Sequence, residues 1–92
     1  MFYVYFLYAP KSDEWYVGYT SKEPEQRCRE HNRPSNRCWT RGRKWDLVYY
    51  EAYPDEHMAK GREYDLKHDG RSRKRIIKRL DRLHERAMEI AS

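Results

Sequence analysis

The chain opens on an unbroken aromatic and β-branched run, Phe2 to Tyr8, and such a run favours a strand buried on at least part of both faces. Ala9 to Glu14 carries Pro10, Ser12 and Asp13, the chemistry of a turn, before Trp15-Tyr16-Val17-Gly18-Tyr19 resumes strand composition. The two segments are expected to pair as an antiparallel hairpin. Thr20 or Ser21 offers a capping oxygen ahead of Glu23, Pro24 and Glu25, which suit a first helical turn, so a helix to about His31 follows. Asn32, Pro34, Ser35 and Asn36 break it, and the Arg-rich stretch to Lys44 reads as a long exposed loop.

Trp45 to Tyr53 is a third strand, ended by Pro54 and Asp55 at a helix start. The helix runs to about His68, with Met58, Arg62 and Asp65 on one face and Ala59, Glu63 and Leu66 on the next, which sets Glu63 beside the apolar stripe. Gly70 reads as a helix terminator and Ser72 as the cap of a last helix. Its Ile76, Leu80, Leu83 and Ala87 recur at helical spacing, which predicts packing on the core, with Lys74, Lys78, Arg82 and Arg86 turned toward solvent or a polyanion. The order β-β-α-β-α-α makes an α+β fold: one domain over residues 1–92, a small three-stranded antiparallel sheet flanked by helices.

Composition changes this picture in two ways. Hydrophobic and charged residues each make up 38% of the 92, a balance that raises the question of disorder, but nine Tyr, three Trp and two Phe can bury large surfaces in one thin core. The net charge of +5 biases the chain toward polyanions. Locally the bias is stronger: Arg27, Arg29, Arg33, Arg37, Arg41, Arg43 and Lys44 face the single acid Glu30, and Arg forks suit phosphate. No apolar run approaches the roughly 20 residues of a membrane span and no signal peptide precedes the first strand, so a cytoplasmic location and no membrane partner are expected. Cys28 and Cys38 read as free thiols, and with His31 they match no closed four-ligand zinc spacing.

Pattern and composition stop at a basic α+β domain without a reaction. Tyr3-Val4-Tyr5 and Tyr16-Val17-Gly18, on the first two strands with Tyr5 and Tyr16 eleven positions apart, resemble the two tripeptides that name the GIY-YIG nuclease family. The resemblance continues through Gly18-Tyr19-Thr20, Arg27 and His31 as Arg-x-x-x-His-Asn, Thr40-Arg41-Gly42-Arg43, and Ala59-x-x-Arg62-Glu63-x-x-x-Lys67. It covers roughly residues 2 to 80 and looks most like the small stand-alone members.

The resemblance implies a metal-dependent endonuclease that hydrolyses phosphodiester bonds in nucleic acid, DNA ahead of RNA. Its cofactor would be one divalent cation, magnesium with manganese as the alternative, held by Glu63. Tyr5 falls on the tyrosine that serves as general base or orients the attacking water, and Tyr16 on the one that holds the nucleophile or the scissile phosphate. A free phenol has a pKa near 10, so nearby guanidinium and metal charge are expected to favour a Tyr5 phenolate. Arg27 would stabilise charge on the pentavalent phosphate, and His31, one helical turn on, would hydrogen-bond a tyrosine or move a proton. Gly18 allows close backbone approach at a strand end or bulge beside the site. Arg37, Arg41, Arg43, Lys44 and Lys67 are the expected nucleic-acid contacts.

Tyr3 stands where the family name has glycine, and Val4 and Val17 replace isoleucine. The family's late polar residue, often asparagine, has no counterpart, since Arg75 to Arg79 offers only Lys and Arg beside Ile76 and Ile77. The competing reading is a non-catalytic nucleic-acid-binding module on the same fold, its aromatics stacking bases and its arginines holding phosphates. A protein-interaction domain would leave Tyr5, Tyr16, Arg27 and Glu63 together unexplained. Substrate strandedness, sequence specificity and oligomeric state stay open.

Overall fold

Strand β1 (Phe2–Ala9) lies in the middle of a three-stranded sheet, with β2 (Glu14–Thr20) on one side and β3 (Asp46–Tyr53) on the other, both antiparallel to it. The computed structural model describes residues 1–91. The central place of β1 explains its near-continuous apolar run, because both of its faces are covered. Val4 and Phe6 point to one side, where Val17, Ala59 and Leu66 complete a core cluster. Tyr5, Leu7 and Ala9 point to the other, against Cys28 and Trp45.

Helix α1 (Pro24–His31) covers the second face, and α2 (Glu56–His68) packs on β1 and β2 over the first. Helix α3 (Gly70–Ala91) sends Ile76 and Ile77 onto the same cluster as α2. The observed order is β-β-α-β-α-α, the α+β arrangement expected from the pattern. No helix among the described residues is long and apolar enough to cross a membrane.

Three local expectations change. Neither Thr20 nor Ser21 caps α1: β2 runs through Thr20, whose buried Oγ1 accepts the Lys22 amide at 3.0 Å, and the helix begins after Glu23 with Pro24 in its first turn and no side-chain cap. Gly70 does not terminate a helix but begins α3, because Asp69 supplies the cap. Its carboxylate accepts the Arg71 amide at 3.1 Å and the Ser72 hydroxyl at 2.8 Å, which makes Ser72 a donor rather than the cap. Leu83 and Ala87 do not reach the core, and every described residue from 81 onward is exposed. At about 1.5 Å per residue a helix of 22 residues runs roughly 33 Å, which overshoots the sheet it packs on.

Candidate active site

Tyr5 and Gly18 are register partners across β1 and β2, and the phenol ring of Tyr5 lies over the Gly18 backbone. A Cβ on Gly18 would overlap the Tyr5 hydroxyl, stand 2.5 Å from its Cζ and crowd the Tyr16 ring at 2.9 Å. The glycine is therefore needed in mid-strand, opposite a large aromatic, and not at a strand end. The β1 irregularity lies elsewhere, between Phe6 and Leu7 on the β3 side.

His31, at the end of α1, is buried with both ring nitrogens engaged. Nε2 stands 2.7 Å from the Tyr5 hydroxyl, and Nδ1 stands 2.7 Å from Thr40 Oγ1. Asn36 Nδ2 donates to the same Thr40 oxygen and to the His31 carbonyl, each at 2.8 Å. Trp45 closes the arrangement from below, its indole N–H donating to the Thr40 carbonyl at 2.8 Å. Burial and the nearby Arg27 charge push the His31 pKa down to about 4, against a smaller opposing effect of Glu30, so the ring is neutral near pH 7. A neutral imidazole with Nδ1–H directed at Thr40 presents an acceptor at Nε2 to the Tyr5 hydroxyl.

Tyr5 itself is buried, and burial together with Tyr16 pushes its pKa well above the ordinary phenol value. Arg27 acts in the opposite direction by charge and hydrogen bonding without prevailing, while Glu63 adds to the rise. Burial thus outweighs the single guanidinium, so Arg27 alone does not supply the charge that a Tyr5 phenolate requires. Arg27 is partly exposed and donates to Glu30 at 3.0 Å, and Glu30 also takes Lys22 at 2.7 Å.

The remaining groups arrive from α2 at the β2 edge of the sheet. Lys67 Nζ stands 3.3 Å from Glu63 Oε2 and 5.5 Å over the Tyr16 ring, which ties the helix to the strand by charge and by a cation on an aromatic face. The Tyr16 ring in turn lies 5.1 Å from that of His31 and 6.2 Å from that of Tyr5. Tyr5, Tyr16, Arg27, His31 and Glu63, drawn from four elements, thus surround one edge of the sheet. Among the described residues no three His, Cys, Asp or Glu side chains gather as a multidentate metal cage. One partly buried carboxylate, paired with Lys67 and near enough to Tyr5 and Tyr19 to act on them by charge, instead suits a hard cation that keeps several waters and takes further oxygens from a phosphate, as magnesium does.

The basic loop divides. Arg37, Arg41 and Lys44 are exposed, whereas Arg43 is partly buried, with Nε 2.5 Å from Glu14 Oε1 and its guanidinium 4.7 Å over Trp39. Arg43 therefore holds the loop to β2, its guanidinium shared between Glu14 and Trp39. Arg33, Arg41, Arg43 and Lys44 border a cleft of about 500 Å³ that reaches His31. Thr40 and Asn36 received no role from sequence, although Thr40 lies inside the motif stretch. Trp39, 59% exposed and stacked on Tyr16 at 6.2 Å, was also unassigned.

The GIY-YIG catalytic domain family matches residues 1–76. The chain is 39% identical over 77 residues to UPF0213 protein HQ_3675A of Haloquadratum walsbyi, covering 82% of this chain and 83% of that protein. UPF0213 protein BH0048 of Halalkalibacterium halodurans is 37% identical over 73 residues, 78% of this chain and 76% of its own length. UPF0213 protein CPE1444 of Clostridium perfringens is 37% identical over 75 residues, 80% and 78% respectively. No solved structure matches the chain. With the two tyrosine motifs on paired strands and a family match over most of its length, the chain belongs to the GIY-YIG family.

Proposed function

We propose that this protein is a metal-dependent endonuclease that hydrolyses phosphodiester bonds in nucleic acid, with DNA as the first substrate to test. The observation that carries the reading is the 2.7 Å approach of Tyr5 to a neutral His31 beside Tyr16, Arg27 and Glu63. Tyr5 can accept a proton from the attacking water as its own proton passes to His31 Nε2, so no phenolate has to stand beforehand. With the ring proton on Nδ1, Thr40 Oγ1 would accept it and keep the imidazole facing Tyr5. Tyr16 would orient the water or the scissile phosphate through its hydroxyl. The Arg27 guanidinium would bind the non-bridging oxygens as charge grows on phosphorus.

Glu63 would hold magnesium or manganese, with water and phosphate oxygens as the other ligands. A divalent ion so held supplies Lewis-acid stabilisation of the phosphate and the leaving 3′ oxygen. Lys67 would exchange the Glu63 carboxylate for a substrate phosphate. Arg37, Arg41 and Lys44 would hold flanking phosphates, which neutralise cations without reading sequence.

The deciding experiment is a cleavage assay across DNA and RNA of different structures, with and without magnesium or manganese. Wild type should cut only with metal, and Glu63→Ala should lose roughly 100-fold or more in rate with unchanged circular dichroism. Equal cutting by that variant would remove Glu63 from the metal site. Salt-sensitive binding without turnover on any substrate would favour the non-catalytic binding module.

A further inference from the structure

Most acidic side chains around the sheet are matched with a cation. Lys22 and Arg27 share Glu30, Arg43 joins Glu14, Lys60 joins Glu56, Arg62 joins Glu51 and Lys67 joins Glu63. Helix α3 departs from this habit. Arg75, Lys78, Arg79 and Arg82 are all exposed and together border a shallow groove of about 340 Å³ with no other residue in its lining. None of the four enters a salt bridge among the described residues.

Helical periodicity sets these four on the face opposite Ile76 and Ile77, which pack on the core. Asp81, the one acid between Arg71 and Arg82 against seven basic residues, is turned elsewhere and lines a separate groove with Tyr8, Trp15, Leu80 and His84. A merely solvated helix face mixes signs at i,i+4 and gains a few tenths of a kcal/mol per pair. Here the neighbours at that spacing, Arg75 with Arg79 and Lys78 with Arg82, repel, and a polyanion would relieve the repulsion. The family match ends at residue 76, so Lys78, Arg79 and Arg82 lie beyond the catalytic domain proper.

We propose that the outward face of α3, carrying Arg75, Lys78, Arg79 and Arg82, is a second nucleic-acid contact that grips a duplex phosphate backbone away from the cleavage site. Arg75 and Arg82 are roughly 10 Å apart along the helix axis, about three base-pair steps measured along a B-form duplex axis. Contacts of this strip to phosphates would position a duplex without reading its sequence. A membrane surface fits less well beside the strip, where Ile76 and Ile77 are spent on the core; the exposed apolar residues of α3, Leu83, Met88 and Ile90, lie beyond it. The inference rests on nucleic acid as the partner proposed above and is independent of whether the protein cuts it.

The test is metal-free binding by fluorescence anisotropy across a salt series, using the full chain and a duplex of roughly 30 base pairs. A variant with Arg75→Gln, Lys78→Gln, Arg79→Gln and Arg82→Gln should lose about 10-fold or more in affinity, and its salt slope should fall by about three to four units. Helical circular dichroism should be unchanged. A second variant with Arg75→Lys, Arg79→Lys and Arg82→Lys should keep the wild-type slope, and Arg79→Gln alone should lower it by about one. An unchanged slope in the four-fold variant overturns the proposal. Wild-type binding to phosphatidylglycerol vesicles in preference to duplex would reassign the face to a membrane. Failure of metal-dependent cutting would leave all these outcomes readable.

Discussion

A buried histidine held neutral by its surroundings makes stability depend on pH in a direction that can be worked out from His31. Above pH 6.5 the ring is neutral in the folded and unfolded chain and contributes no slope. Between 6.5 and about 4 the unfolded chain takes up a proton that the folded one refuses, so stability falls as the pH is lowered, and below about 4 the loss is complete. The full span is on the order of 3 kcal/mol. His31→Gln should flatten this part of the profile, measured by urea unfolding at steps between pH 7 and 4, and an unchanged difference between variant and wild type would detach the dependence from His31. The same pocket shows where sequence reading reaches its limit at this scale. Tyr5, Tyr16, Arg27 and His31 stand out through motif spacing on regular elements. Thr40 and Asn36 do not, because only a particular fold of the loop after α1 brings them back onto the imidazole, and loop geometry leaves no periodic trace. The depth of burial that opposes a phenolate at Tyr5 was hidden for a related reason, since it depends on what covers β1.

The helix carrying Glu63 is fixed to the sheet by a second set of groups. Glu51 on β3 accepts Arg62 Nε at 2.9 Å and Nη2 at 3.2 Å, and the hydroxyls of Tyr49 and Tyr53 at 2.8 Å each. Burial alone would raise the Glu51 carboxyl, yet the hydrogen bonds from Arg62, Tyr49 and Tyr53 hold it below its usual value. Glu51→Gln removes the charge that Arg62 neutralises and turns an acceptor into a donor facing other donors, and should cost about 1–3 kcal/mol of unfolding free energy. The loss should be greatest near neutral pH and shrink as the pH falls through the Glu51 range, where the wild-type carboxylate is itself protonated. A variant as stable as wild type at pH 7 would show that the core alone holds α2. The three strands and three helices were legible from runs, breaks and apolar spacing, with bounds moved by a residue or two. The caps were less so, because Asp69, Ser72 and Gly70 all suit a helix junction and only the packing of α3 behind α2 selects Asp69.

At the scale of the whole molecule, α3 is the element whose pattern misled. Ile76, Leu80, Leu83 and Ala87 make a continuous helical stripe, but burial requires something opposite it, and the core meets only the first part. Periodicity fixes which face of a helix is apolar and carries no information about where its neighbour ends. The distal part therefore stands on helix propensity and i,i+4 pairs, which are marginal in water for so short a segment. Residues 82–91 should open independently of the domain, with amide hydrogens exchanging much faster than those of β1. Removing them should change the unfolding free energy by no more than about 0.5 kcal/mol, since the variant keeps Leu80 and leaves the sheet, α1 and α2 intact. The same deletion takes Arg82 from the strip, so duplex affinity should fall and its salt slope drop by about one while stability holds. A large loss of stability would mean that Leu83 and its neighbours do bury a surface, and would return the distal helix to the core that its stripe first suggested.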